Sequence, residues 1–314
     1  MTSDLRKRYD FVDSVRGAAM LIVISWHVAG FHSHWTDGWT MPVFFVIMGL
    51  FYKQPDTLAS LLKKKFNSII VPYMFFAVPA IIISLLSSGI LETLKLMINP
   101  YQSINGMSWF LLCMFWCYLM YFLIYKFSGE SKTCRILLSL CVSLAGFYMN
   151  YIRIFNHRLV LPFYASTAMT CMCFVSFGEM ARPCILRPRR LLTQISVTAV
   201  LAIFYLGGVK IFDAQPLQMI WNTYCQPWLV LVLNALSGSC FFMSVAKILP
   251  AVIAPFGKYS MLILLSHGYF IELLNIFRMS VYVEYLAVAI LSLLFSCIIY
   301  RYFPLLAGRK QIIK

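Results

Sequence analysis

The sequence predicts an all-α protein, a polytopic transmembrane helical bundle of about ten helices with both termini cytoplasmic. Three observations carry this. Of 314 residues, 61% are hydrophobic and only 12% charged, where a soluble domain carries about 25% charged residues. Apolar runs recur along the whole chain, and about 20 such residues cross a hydrocarbon core of ~30 Å. The basic residues fall between these runs with a strong alternation.

Charged and Pro/Gly-containing stretches divide the chain into ten spans. The first, 13–31, follows the basic segment Arg6, Lys7, Arg8; Asp13 and Arg16 would spoil a signal-peptide core, so it is read as a retained helix. The second, 41–52, opens at Pro42, contains Gly49 and is short, which predicts a helix that tilts, breaks or packs inside the bundle. The third, 69–89, follows Lys63, Lys64 and Lys65, and the fourth, 108–125, starts at Ser108-Trp109 and stops before Lys126. The fifth, 136–152, lies between Arg135 and Arg153; the sixth, 159–180, between Arg158 and Arg182; the seventh, 191–208, between Arg190 and Lys210. The eighth, 225–246, ends at Lys247; the ninth, 259–277, runs from Lys258 to Arg278; the tenth, 285–303, closes near Arg301. Together they predict one integral-membrane domain over 1–314 with no sizeable soluble part.

The net charge of +15 points away from nucleic acid, because the Lys and Arg residues form no continuous basic face. With a cytoplasmic N-terminus, 20 of the 26 Lys and Arg residues fall on inside segments and five on outside ones, with Arg16 within a span. That bias places both termini inside with an even number of spans. The ten Cys residues sit mostly within apolar runs without metal-ligand spacing, which predicts small packing residues and no metal site. The aromatic loop His32-Ser33-His34-Trp35-Thr36-Asp37-Gly38-Trp39 reads as an outer segment with Trp anchors, and its His32/His34 pair is a weak metal signal. His157, beside Arg158, reads as solvated, and Glu179 as an interfacial partner of Arg182.

Ionisable residues within a span are costly and mark sites. On the first helix Arg16 and His27 are eleven residues apart, about three turns and ~16 Å along one face. Asp13, three residues before Arg16, is placed to pair with it. On the ninth helix, His267 falls near mid-membrane with Glu272 beyond it; a neutral imidazole there can donate, accept or relay a proton, or merely tie two helices together. Lys63, Lys64 and Lys65 read as an anchor that is also placed to grip an anionic cytosolic cofactor.

These residues resemble the membrane-bound acyltransferase family 3. Tyr9-Asp10-Phe11-Val12-Asp13-Ser14-Val15-Arg16-Gly17 through His27 is similar to its first-helix signature, an Arg and a His separated by ten residues. Met41-Pro42-Val43-Phe44-Phe45-Val46-Ile47-Met48-Gly49 resembles its PxFFxxSG pattern, with Met48 where Ser is usual. Lys65-Phe66 to Val71-Pro72-Tyr73, Trp109-Phe110-Leu111, and Phe256-Gly257-Lys258-Tyr259-Ser260 to His267 follow in the family's order. Lysines stand at 63–65 where many members have arginines, and Leu264 and Leu265 replace a Tyr near His267.

The resemblance implies a bacterial cytoplasmic-membrane enzyme. It would move an acyl group, usually acetyl from acetyl-CoA, to a sugar hydroxyl of an envelope glycan or its lipid-linked precursor. His27 would be the general base, with Asp13 orienting Arg16, Arg16 and Lys63 to Lys65 facing acyl-CoA, and His267 assisting. Trp109 and Glu272 would meet the acceptor. The lipid bilayer is the remaining partner, and homo-oligomerisation is compatible with the sequence. A proton-coupled transporter or flippase of a small solute or lipid-linked sugar is the competing reading, since intramembrane His, Arg and Glu also build such pathways. The ordered motifs, and the lack of a visible internal repeat, weigh against it.

Overall fold

The computed structural model describes residues 9–99, 106–149, 151–154, 157–158, 161–211 and 219–312; the basic segment Arg6 to Arg8 lies outside them. The protein is an all-α helical bundle whose one β ladder pairs β1 (Arg153–Ile154) with β2 (His157–Arg158), among the described residues. Seven helices there are long and apolar enough to cross a membrane, and a bent pair makes an eighth such span. Two shorter elements account for the other predicted spans.

The first span is α1 (Asp10–Ala29), stopped by Gly30 in the left-handed region at φ 61° with its N–H turned back to Ser25 and Trp26 carbonyls. The loop expected next is a short helix, α2 (His34–Thr40), capped by the Ser33 hydroxyl. Trp39 is a correction to the anchor reading: it is fully buried and stacked on Phe242 at 3.8 Å, whereas Trp35 is exposed. The second span is α3 (Pro42–Leu50), started by Pro42 at its first turn and buried along its whole length. It is far too short to cross a membrane and packs inside the bundle.

The third span is longer than expected. Helix α4 (Leu58–Lys65) runs through a π turn at Phe66–Ile70 into α5 (Val71–Ile98). Asn67 sits in that turn, donating to the Lys63 carbonyl at 2.8 Å and accepting from the Ile312 N–H at 2.7 Å. The predicted end at residue 89 coincides with a kink: Gly89 has φ 80°, and the chain resumes helical geometry beyond it. Next come α6 (Trp109–Ser128) and α7 (Lys132–Met149).

The sixth span is broken into α8 (Ala165–Thr170) and α9 (Met172–Leu186), bent by 49°; the start predicted at Leu159 lies outside the described residues. A break at membrane depth needs partners for its backbone. Ser143 donates to the Thr170 carbonyl at 2.7 Å, the Thr170 hydroxyl meets Asn222 at 2.9 Å, and Asn222 reaches the Gly146 carbonyl at 2.8 Å. The bundle closes with α10 (Leu191–Ile211), α11 (Trp228–Ala246), α12 (Ala254–Lys258), α13 (Ser260–Asn275) and α14 (Val281–Tyr302).

Helix α1 lies centrally, touching α2, α3 and α11 to α14. Its closest approach, to α12, is made by glycine: a Cβ on Gly17 would meet the Ile253 carbonyl oxygen at 2.2 Å, and one on Gly257 the Asp13 carbonyl oxygen at 1.7 Å. The α3/α9 contact is reciprocal in the same way, Gly49 against the Val175 carbonyl at 1.9 Å and Gly178 against the Val46 carbonyl at 2.0 Å. Small residues let helix backbones touch where no hydrophobic effect drives association.

Glu179 corrects a second expectation. Its carboxylate is held by the Tyr121 hydroxyl of α6 and by Arg135 Nε of α7 at 3.1 Å, rather than by Arg182. Arg135 is buried at 5% exposure and lies over the Tyr125 ring at 4.1 Å. A buried guanidinium needs a compensating charge, which Glu179 supplies across the bundle.

Gly49→Val is expected to destabilise the protein by at least the ~1–3 kcal/mol of ordinary overpacking, because backbone rather than a side chain must yield. A monodisperse detergent-solubilised variant with an unchanged melting temperature would refute the close-contact account. Glu179→Gln should cost ~3–5 kcal/mol by stranding Arg135, and Arg135→Met combined with Glu179→Met should recover much of it. Thermal unfolding of Glu179→Met, Arg135→Met and the double variant measures the coupling.

Candidate active site

Four residues of α1 repeat on one face: Arg16, Met20, Val23 and His27, spaced i, i+4, i+7 and i+11. The first three line a cavity of about 170 Å³, closed on the other sides by Phe44 and Met48 of α3, Phe110 and Met114 of α6, and Met261 and Leu264 of α13. His27 lies one turn beyond Val23, and His267 one turn beyond Leu264. The two imidazoles meet there, ring centroids 5.1 Å apart at 65°. Helices α1 and α13 therefore carry their stripes up the cavity to a common point.

Their protonation follows from their partners. His27 Nδ1 lies 2.8 Å from the Val23 carbonyl and His267 Nδ1 3.0 Å from the Ile263 carbonyl. A carbonyl only accepts, so both Nδ1 atoms carry hydrogen and in the neutral rings both lone pairs sit on Nε2. His267 is fully buried and its Nε2 has no protein partner; His27 is exposed. The arrangement presents two imidazole lone pairs one helical turn beyond the lining of an apolar cavity.

At the other end the cavity shares Arg16 and Tyr118 with a wider vestibule of about 530 Å³. Among the described residues, five cationic side chains line it, Arg16, Lys53, Lys64, Lys65 and Arg182, against the single carboxylate of Asp13. Asp13 Oδ1 and Arg16 Nη1 are 4.0 Å apart, an ion pair at its outer limit. Lys65 Nζ stands 3.2 Å above the centre of the Tyr118 ring, a cation–π contact that fixes the ammonium at the neck. This excess of positive charge suits a polyanion.

The sequence-derived candidates divide accordingly. Asp13, Arg16, Lys64 and Lys65 meet in the vestibule; His27 and His267 meet at the far end. Lys63 lines neither cavity, and its carbonyl caps Asn67. Trp109 is half-buried against Phe110 and Tyr164, outside both linings, although Met107 just before it packs onto Gly268 beside His267. Glu272 is on the exposed side of α13, away from both linings.

Sequence reasoning missed Tyr52, Tyr118, Lys53 and Arg182 as lining residues. Tyr118 lies nine residues past Trp109 in an aromatic-rich run, where nothing distinguishes it from packing. The methionines Met20, Met41, Met48, Met114 and Met261 were the overlooked signal: five of them face the cavity, and flexible thioethers make an adaptable apolar wall.

The family model described as an acyltransferase domain, of acyltransferase family 3, matches residues 9–301. No curated protein and no solved structure matched the chain. The match takes in both ends of the site, from Asp13 on α1 to His267 on α13, and on it the chain belongs to the membrane-bound acyltransferase family 3 and is a multi-pass membrane acyltransferase.

Proposed function

We propose that the protein transfers an acyl group, acetyl in the first instance, from acyl-CoA at the cytoplasmic face to a sugar hydroxyl of a bacterial envelope polysaccharide or its lipid-linked precursor. The observation that carries this reading is the order along α1 of a basic vestibule, an apolar cavity that shares Arg16 and Tyr118 with it, and, one turn further, two imidazoles in contact. The vestibule residues Lys53, Lys64, Lys65 and Arg182 are among those that the positive-inside bias assigns to the cytoplasm, which supports a cytoplasmic vestibule with both termini on the same side. Arg16, Lys64, Lys65 and Arg182 would hold the donor's phosphates through charge-assisted hydrogen bonds. The methionine-walled cavity suits the flexible, uncharged arm that bears the thioester, and the ~16 Å along α1 between Arg16 and His27 would separate the phosphates from the reacting carbon.

At the far end His27 Nε2 takes the proton from the sugar hydroxyl as the oxygen attacks the thioester carbon. The carbon–sulfur bond breaks, and the proton on His27 passes to the departing thiolate, which restores the neutral imidazole. The sum is alcohol plus thioester to ester plus thiol. Val23 fixes the tautomer that leaves Nε2 free, and His267 Nε2, lacking any protein donor, accepts a hydrogen bond from the reacting assembly.

His27→Ala should abolish transfer while leaving membrane insertion intact. Mass spectrometry of envelope polysaccharide from cells with the intact protein, the variant or neither measures this; an acyl increment dependent on His27 supports the reading, and identical glycans in all three remove it. Lys65→Ala should raise the KM for acetyl-CoA about tenfold or more, the loss expected for one charge-assisted contact of ~1.5–3 kcal/mol. An unchanged KM would take the donor phosphates out of the vestibule.

A further inference from the structure

Beside His27 the chain builds a second imidazole site that the reaction above does not use. Gly30, with its left-handed backbone, ends α1 and reverses the chain, and the His32 N–H bonds the Gly30 carbonyl at 2.9 Å. This folds His32 back onto Trp26, ring centroids 5.6 Å apart and 18° from parallel. Trp26 immediately precedes His27. His32 Nδ1 lies 2.9 Å from Asp37 Oδ2, and Asp37 is 2% exposed.

The other Asp37 oxygen is taken by the Thr36 hydroxyl at 2.9 Å and the Ser33 N–H at 3.3 Å. The carboxylate is thus committed to holding the imidazole with Nδ1 protonated and Nε2 as the acceptor. The His32 side chain is 56% exposed. The support is rigid: Trp39 stacks on Phe242, and the Tyr205 hydroxyl bonds the Trp35 carbonyl at 2.5 Å, fastening α2 to α10 and α11. Meanwhile the Trp26 indole N–H is buried without a protein acceptor.

We propose that Trp26, His32 and Asp37 form a binding subsite for a neutral, hydroxyl-rich ligand, a sugar residue of the acceptor glycan. An exposed, oriented imidazole that accepts from an O–H, with a buried indole N–H beside it that lacks a protein acceptor, is complementary to such a ligand. The site lies at the His27 end of α1, about three turns from the basic vestibule, so the two substrates enter from opposite ends. Within the acyl-transfer reading, His32 holds a hydroxyl neighbouring the one His27 deprotonates, and Asp37 is a positioning residue acting through His32.

The inference rests on that reading for the choice of a sugar, but its test does not require turnover. The full-length protein in nanodiscs is titrated with oligosaccharides released from the envelope glycan of cells that carry it, and binding is followed by saturation-transfer NMR without acyl-CoA. His32→Gln and Trp26→Phe should each weaken binding about tenfold; acetyl-CoA binding to each variant checks the fold. Asp37→Asn should weaken it less than His32→Gln, since the ring remains but loses its orientation. Oligosaccharide binding that His32→Gln and Trp26→Phe leave unchanged, or no binding to the wild type, overturns the subsite. Binding that depends on His32 in a protein that transfers no acyl group would uphold the subsite and remove the acyl-transfer reading instead.

Discussion

The contact on which the site depends is backbone against backbone. Gly17 and Gly257 let α1 and α12 approach until the place of a Cβ on either is filled by the other's carbonyl. Helix α13 follows α12 after a single residue, so this contact sets where α13 lies along α1. Both imidazoles are anchored to their own helices through Nδ1 and move with them. In lipid, where side-chain burial supplies little drive for helices to associate, close glycine contacts are the available means of fixing such a register. The α3/α9 contact does the same for the wall that carries Phe44 and Met48.

Polar groups in the bundle separate into two kinds. Most have a structural partner: Glu179 answers Arg135, Asn222 closes the break between α8 and α9, and Asn67 fills the π turn. An unpaired polar atom in this setting is costly. His267 Nε2 and the Trp26 indole N–H are among the buried atoms left without protein partners, and they flank His27 from two sides, one through the ring contact and one through the chain. The protein spends stability where a ligand's hydrogen bonds would restore it, which is the usual relation between strain and function.

Much of this was legible from residues that break the local rule. Arg16 and His27 stood out because ionisable groups are rare in a span and their spacing put them on one face. The helical bundle followed from hydropathy, and even the kink at Gly89 fell at a predicted span end. What sequence could not show depends on partners distant in the chain. Glu179 has Arg182 three residues away, yet its actual partners, Tyr121 and Arg135, are 58 and 44 residues away in sequence. Trp39 sits in a polar loop sequence and becomes core only because α11 presents Phe242 to it. Asp37 looked like one more loop carboxylate until the turn at Gly30 brought His32 over it.

The lining between the two ends also bears on which chemistry the fold supports. Beyond the neck at Arg16 and Tyr118, towards the imidazoles, the cavity wall is Met20, Val23, Phe44, Met114, Met261 and Leu264 and apolar neighbours, with the hydroxyl of Ser260 among them. A proton-coupled carrier needs ionisable groups at intervals along its path, and past Arg16 and Tyr118 the lining of this cavity carries none. Acyl transfer as proposed makes no such demand, because the proton that His27 would take from the alcohol would return to the thiolate within the same site. An apolar wall then favours the reaction, since excluding water protects the thioester from hydrolysis and strengthens the hydrogen bonds at the imidazole pair. In the proposed reaction the charge that the donor brings would stay in the vestibule, where the cations are, and only its uncharged arm would enter the part of the bundle that could not solvate an ion.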